Sequence, residues 1–460
     1  MNKKQNSFSR KKYFMAILIA LSFASVLMIG VTLKAQLNLV DDIHSDQGST
    51  LKAKTGVASH SFKWNRTWGE VIKYNQITGV AVDSSSNIYL AGYFGPNPGS
   101  PNNASLTKYD STGTQDWSIV YGGSDPADKF HDVTVFGDNI YVVGQTESFC
   151  VPGNHDLVFL KLDSAGNIVW EKFYNDSVSN LAYGITVDQN HNIYITGLFG
   201  LRMGLVKYDA SGVQQWNTTW LGPALYDQGV GVVVDTDGNI FVAAIIESLG
   251  NGGTDAFLIR YSPSGNMVWY KDWGGSADDV PTGIAMDSSR NIYITGYTDN
   301  LNNTRSAFLL KYNSADGNLL WSRVWNGRWK EVANDLTIDD KDIIYVTGAT
   351  SNNPAEAGDS DIFIATFDTD GHMLWYEIVL EDWDTTGSAI ALDEDKNIYI
   401  GGYIELVQME YFLVKYQKGT GDGIPGFDIL PIVLVLIPIA IFVLFKRKKA
   451  HLTKMISKLA

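Results

Sequence analysis

Charge and cysteine are scarce in this chain. Charged residues make up only 18% of its 460 residues, and Cys150 is the single cysteine. One Cys excludes any intrachain disulfide. An exported domain built from this chain would be held by its core alone, which a chain of this length can supply. Histidines are also few: His44, His60, His131, His155, His191, His372 and His451 are scattered without metal-ligand spacing, and no HExxH motif occurs. There is no G-x-S-x-G elbow and no Walker loop, so the common hydrolase and nucleotide-binding signatures are missing. A net charge of −15 argues against a nucleic-acid partner. No cofactor and no metal site is expected from these residues. Helical periodicity is absent across the middle of the chain.

Aromatics are abundant, at 12%, with 13 Trp and 23 Tyr. That composition favours strands. The aromatics also recur. A phrase of the Asn-Ile-Tyr type places a ring at Tyr89, Tyr141, Tyr194, Phe241, Tyr293, Tyr345 and Tyr399. A closing Trp falls at Trp64, Trp117, Trp170, Trp216, Trp269, Trp321 and Trp375. The spacing of roughly 50 residues lies in the range of repeat architectures.

Each repeat carries four strand signals. The first is of the Gly-Ile-Ala-Val-Asp type, as at 79–83, 184–188, 231–235 and 283–287; the second repeat departs from it, ending at Phe136 without the Asp. The second strand is the Asn-Ile-Tyr phrase, the third a Phe-Leu-Val-Lys-Tyr phrase, and the fourth starts near the closing Trp. Strands this apolar on both alternating faces are buried on both sides. Short Asp/Ser/Gly/Asn turns join first to second and third to fourth. Four short strands repeated about an axis predict an all-β chain, a seven-bladed β-propeller of four-stranded blades over 61–418. The seventh repeat stops after Tyr416 without a closing Trp, while Phe62-Lys63-Trp64 precedes the first full repeat. The N-terminal strand Phe62–Trp68 is therefore expected to complete the last blade and close the ring.

Trp273-Gly274-Gly275-Ser276, Gly283-Ile284-Ala285-Met286-Asp287 and Asn291-Ile292-Tyr293-Ile294-Thr295-Gly296 resemble the bacterial and archaeal SBBP-type β-propeller repeats. The likeness extends over 61–418. It implies an extracellular structural or binding module and names no reaction. A weaker likeness to quinone-cofactor propellers lies in Gly317-Asn318-Leu319-Leu320-Trp321, but the adjacent-Cys pair common in those enzymes cannot form from one Cys.

The ends of the chain carry location signals. Lys3, Lys4, Arg10, Lys11 and Lys12 precede an uncharged run from Phe14 to Leu33, so 1–35 reads as a signal peptide or signal anchor, and 36–60 as a linker. A spacer at 419–428 leads to an apolar run at 429–445, long enough for a short transmembrane helix, and then to a basic tail at 446–460. The basic flanks place the propeller outside the cell membrane and the C-terminal tail in the cytoplasm. Pro425-Gly426-Phe427 ahead of that run resembles the sorting tags of archaeal surface proteins.

In an up-and-down blade the second-to-third and fourth-to-first loops emerge on one face. Those loops vary in length and carry acids and aromatics, among them Asp128, Tyr226, Asp279, Trp329, Glu331 and Trp383. Variable loops on a rigid scaffold are where binding usually sits, and Trp beside carboxylates suits a carbohydrate or a protein ligand. Asn103 and Asn302 begin N-x-S/T sequons expected in loops. Asp235-Thr236-Asp237-Gly238-Asn239 and Asp368-Thr369-Asp370-Gly371 resemble fragments of calcium loops, but the Glu that would close such a loop is absent, and they read as hairpin turns. The sequence thus predicts a membrane-anchored, non-catalytic binding, adhesion or scaffold module. A propeller enzyme of glycoside hydrolase or lyase type, with its site on the variable-loop face, is the alternative.

Overall fold

Twenty-eight strands pair into seven separate four-stranded antiparallel sheets in this computed structural model. It describes residues 60–418, apart from short segments at 69–73, 97–101, 124–126, 149–153, 175–177, 221–225, 248–252, 300–304, 327–329, 352–359, 380–383 and 406–408. The expected signal segment, transmembrane helix, basic tail and Pro425, Gly426 and Phe427 lie outside the described residues, as do Trp329, Trp383 and Asn302. Among the described residues, no helix is long and apolar enough to cross a membrane.

Six blades are consecutive in sequence: 74–121, 129–174, 180–219, 228–273, 279–325 and 330–379. The seventh is made from both ends of the domain. Strands Asp384–Leu392, Ile398–Glu405 and Met409–Lys418 supply its inner three, and His60–Trp68 adds the outermost. That strand runs antiparallel to Met409–Lys418, from His60 opposite Lys418 to Trp68 opposite Tyr411. It begins two residues before the expected Phe62. The first strand of each blade is innermost and packs on the first strands of both neighbours, so the seven surround a central channel.

The repeat phrases act as structural chemistry. In blade one, Asp83 Oδ1 accepts from the backbone N–H groups of Ser85 and Asn87 (both 2.9 Å), which shapes the first hairpin turn. Its Oδ2 accepts from the Asn87 side chain (2.8 Å) and from the Tyr89 hydroxyl (2.9 Å). Asp188, Asp287 and Asp393 repeat this set with Tyr194, Tyr293 and Tyr399. The phrase Asp-x-x-x-Asn-Ile-Tyr is thus one hydrogen-bonded unit that lets a large ring be buried with its hydroxyl satisfied. Asp235 binds its own turn in the same way, through Asp237 N–H, Asn239 N–H and the Asn239 side chain.

Blade two lacks the Asp, and the consequence is visible. The buried Tyr141 hydroxyl has no hydrogen-bond partner among the described residues. We expect Tyr141→Phe to be neutral or slightly stabilising, because it removes an unsatisfied polar group. Tyr293→Phe should cost ~1–2 kcal/mol, because it removes a bond to a charged acceptor and leaves Asp287 short of a donor. Denaturant midpoints of the two variants check this; equal costs would contradict it.

The closing Trp residues join blades. Trp64, Trp117, Trp170, Trp216 and Trp269 each lie against a turn glycine of the next blade: Gly113, Gly166, Gly212, Gly265 and Gly317. A Cβ on any of these glycines would fall about 3 Å from the indole, and each glycine has a positive φ, between 71° and 84°. Both the turn and the contact therefore need glycine. Where the indole N–H faces a turn carbonyl it donates to it, as Trp117 to Ser164 (3.2 Å) and Trp321 to Thr369 (3.0 Å). Trp375 of blade six meets no such turn, because blade seven is discontinuous there. The His60 ring takes the place of the turn, with centroids 5.4 Å apart, and His60 Nε2 lies 3.1 Å from the Lys396 carbonyl.

Candidate binding site at the channel mouth

Every innermost strand carries a β-bulge at the same position. The register slips at Thr78, His131, Tyr183, Val230, Thr282, Asn334 and Ser388. A bulge turns one extra side chain out of the sheet alternation. Here all seven extra residues line the channel and form a collar within it. The collar residues border two cavities. The one toward the variable-loop face is about 460 Å³. The one toward the short turns is about 550 Å³.

Collar residues also tie blade to blade. The Thr78 hydroxyl donates to the Phe130 carbonyl, the Thr282 hydroxyl to Ala333, and the Asn334 amide to Gly387, all at 2.8 Å. His131 is fixed by Gln145, with Nε2 3.1 Å from Oε1, and packs its ring on Tyr183 at 5.0 Å. Burial pushes the His131 pKa down to about 4, so the ring is neutral at pH 7.

The residue after the bulge is Gly in four blades, Ala in blade seven and Asp in two. At Gly79, Gly184 and Gly283 a Cβ would come within about 3 Å of the next blade. Asp132 and Asp335 use the same closeness differently. Asp132 Oδ2 accepts the Ile185 N–H of blade three, and Asp335 Oδ2 the Ile390 N–H of blade seven, both at 2.9 Å. The other oxygen of each accepts the following N–H of its own strand. Both residues line the deeper cavity and are half-buried, and desolvation raises each carboxyl to about 7. They work as seam clamps.

The wall of the outer cavity contains no Asp, Glu, Lys or Arg among the described residues. Its polar groups are Gln76, Thr78, His131, Tyr183, Gln228, Thr282, Tyr297, Asn334, Thr386, Ser388 and Tyr403. The Arg305 guanidinium lies 4.3 Å from the ring centre of Tyr297, which lines the wall, and Lys129 Nζ lies 4.6 Å from that of Tyr93.

The loop acids sit elsewhere than the sequence suggests. Asp128 and Glu331 are fully buried and Asp279 is nearly so, three residues before the bulge of their blades. Asp128 accepts from the Thr146 and Ser148 hydroxyls (2.5 and 2.6 Å). Glu331 Oε1 accepts from the Trp325 indole (2.9 Å) and the Tyr376 hydroxyl (3.0 Å). Asp279 accepts the Gly275 N–H (2.7 Å), and burial raises its pKa. Asp128 and Asp279 pin loops to their own blades, and Glu331 ties the end of blade five, at Trp325, to Tyr376 of its own blade six. Tyr226 differs: it is 59% exposed and holds a φ of 78°. Asn103 is the first residue of strand Asn103–Tyr109 and is half-buried, not a loop residue. The turn at Asp368, Asp370 and His372 brings ligand atoms of all three within 4.8 Å of one another, adding His372 to the Asp368–Gly371 fragment that the sequence singled out. Asp368 already accepts the N–H groups of Asp370 and His372 there.

A family model for the SBBP β-propeller repeat matches residues 273–303. A WD repeat-containing protein of Acanthamoeba polyphaga mimivirus is 27% identical over 187 residues, 37% of this chain; the chain spans about a tenth of that relative's length (11%). Among solved structures, a gluconolactonase from Xanthomonas campestris has a TM-score of 0.40 at 11% identity, over 79% of this chain and 98% of its own. YCF48 bound to a D1 peptide has a TM-score of 0.45 at 10% identity, over 80% of this chain and all of its own. One is an enzyme and one is bound to a peptide, so neither activity nor partner transfers with the fold.

Proposed function

We propose that the propeller is a non-catalytic binding module, carried outside the cell on a membrane anchor, and that it takes its partner at the variable-loop face. The observation that carries this is the outer cavity, which lies at the loop-side end of the inner strands and is walled, among the described residues, by uncharged side chains rich in hydrogen-bonding groups. Tyr226 supports it, as an exposed ring on the same face held in a conformation that non-glycine residues rarely adopt. A glycoside hydrolase or lyase would need two carboxylates converging on one cleft. Asp132 and Asp335, the acids nearest the channel axis, spend their oxygens on backbone N–H groups at blade seams. That favours binding over catalysis. The anchor, the outward orientation and the Pro425–Phe427 tag rest on the sequence of the two ends.

Two sets of substitutions test the face. Tyr226→Ala and Tyr403→Ala alter the loop side; Asp138→Ala and Lys341→Ala alter exposed short turns. Binding of the full chain to isolated cell envelopes should fall at least about tenfold with the first set and stay within about twofold with the second. Loss only with the second set rejects the reading. Protease added to intact cells should remove the propeller and spare the C-terminal tail; a protected propeller rejects the topology.

A further inference from the structure

We propose that the outer cavity, from its mouth down to the collar, binds an uncharged glycan. This rests on the loop-face reading and names its ligand chemistry.

Four observations converge. The cavity, about 460 Å³, falls in the range of small-ligand pockets, ~300–1,000 Å³. Its wall carries no charged side chain among the described residues, in a chain of net charge −15. An ionic ligand would meet no counter-charge on this wall, and burying an unpaired charge is costly. A neutral ligand meets no such cost.

The wall also offers unspent hydrogen-bonding groups. The Tyr183 hydroxyl, the Gln228 amide and the Thr386 and Ser388 hydroxyls line the cavity and make no side-chain hydrogen bond to any described residue. Their half-buried positions bring them together from blades three, four and seven. Such groups are costly to bury under an apolar ligand and are matched by one bearing several hydroxyls.

The aromatic supply is selective. The Tyr93 and Tyr297 faces are taken by Lys129 and Arg305, and Tyr183 packs against His131. Tyr403, which lines the cavity and is half-buried, carries no cation and no stacked ring among the described residues, and is the ring we assign to the C–H side of a sugar. Below, the collar borders the second cavity, whose lining mixes Thr, Asn, Ser, His and the two clamp acids with Val, Ile and Ala.

Saturation-transfer NMR on the full chain tests this. The probes are methyl glycosides of glucose, galactose, mannose and N-acetylglucosamine with their short oligomers, set against glucosamine, glucuronic acid and glucose 6-phosphate. At ~10 mM probe, enough to reveal a Kd of ~1 mM, at least one neutral sugar should receive saturation and the charged ones should not. Tyr403→Ala and Gln228→Ala should weaken that binding about tenfold or more. Tyr183→Phe, which removes one hydroxyl and keeps the ring, should weaken it about three- to tenfold. Thr186→Val, in the deeper cavity, should leave it unchanged. Circular-dichroism melts exclude unfolded variants, and Tyr183→Phe decides the matter if the alanine variants misfold. Silence from every neutral sugar, equal binding of charged sugars, or indifference to all three outer-cavity substitutions overturns the proposal. If the loop-face set abolishes envelope binding while the sugars stay silent, the face stands and the glycan falls. If only the short-turn set acts, both fall.

Discussion

A chain lacking residues 60–68 is expected to lose cooperative unfolding and to associate. The deletion leaves blade seven with three strands and strips Met409–Lys418 of its outer partner. From Tyr411 to Lys418, the part that was paired, this exposes one row of backbone N–H and C=O groups on a strand carrying Phe412, Leu413 and Val414, which is a template for pairing with a second chain. It also removes two seam contacts. Trp64 no longer covers Gly113 of blade one, and the Arg66 guanidinium no longer reaches the Thr112 and Gly113 carbonyls (both 3.1 Å). On the other side, Trp375 loses the His60 ring. Loss of one large buried aromatic contact alone costs ~3–5 kcal/mol, a large part of typical domain stability. Calorimetry and light scattering on the deletion chain check this. A melting temperature within ~2 °C of the full chain, together with a monodisperse peak, would sink the closure argument. His60→Ala should act in the same direction with a smaller effect.

The ring and its closure are legible because each blade buries both faces. Two-sided apolar strands, the seven closing Trp and the missing last strand each leave a mark in sequence, and they agree. The shape of the site is much less legible. Asp128, Asp279 and Glu331 stand just before apolar strands, where an acid aimed at solvent and one aimed at its own loop look alike; only the buried partners distinguish them. The collar is hidden for a related reason. A one-residue slip exchanges the faces of a strand, so His131 and Tyr183 look like core residues until the bulge turns them into the channel. One signal was available. Setting the repeats side by side places Asp132 and Asp335 where four other blades have Gly, and an acid replacing a glycine at a close seam marks a new contact.

Those two acids should give the domain an unusual response to pH. An acid whose folded pKa is raised binds a proton in the folded state over a range where the unfolded chain has lost it. Stability then falls as pH rises through that range. For Asp132 and Asp335 the range runs from the ordinary value of 3.8 to about 7. Burial also raises Asp227, Asp279 and Glu377, which act in the same direction. His131 opposes them: its pKa is lowered from 6.5 to about 4, so it favours folding as pH rises through that interval. His60, also lowered by burial, adds to that opposition. Counting the three groups with assigned values, two protons are taken up on folding and one is released, so the sum still falls with pH. Replacing both acids, as Asp132→Asn with Asp335→Asn, removes the falling part while keeping side-chain size. The double variant starts less stable at pH 4.5, because an amide nitrogen cannot accept the seam N–H. Between pH 4.5 and 8 it should gain on the wild type by ~3–5 kcal/mol, below the ~4 per group that the full shifts would imply, because channel water screens part of the charge. Urea midpoints of the two chains across that range are the measurement. Parallel pH profiles would mean that Asp132 and Asp335 titrate as ordinary surface carboxylates and that the seams are not held by protonatable clamps.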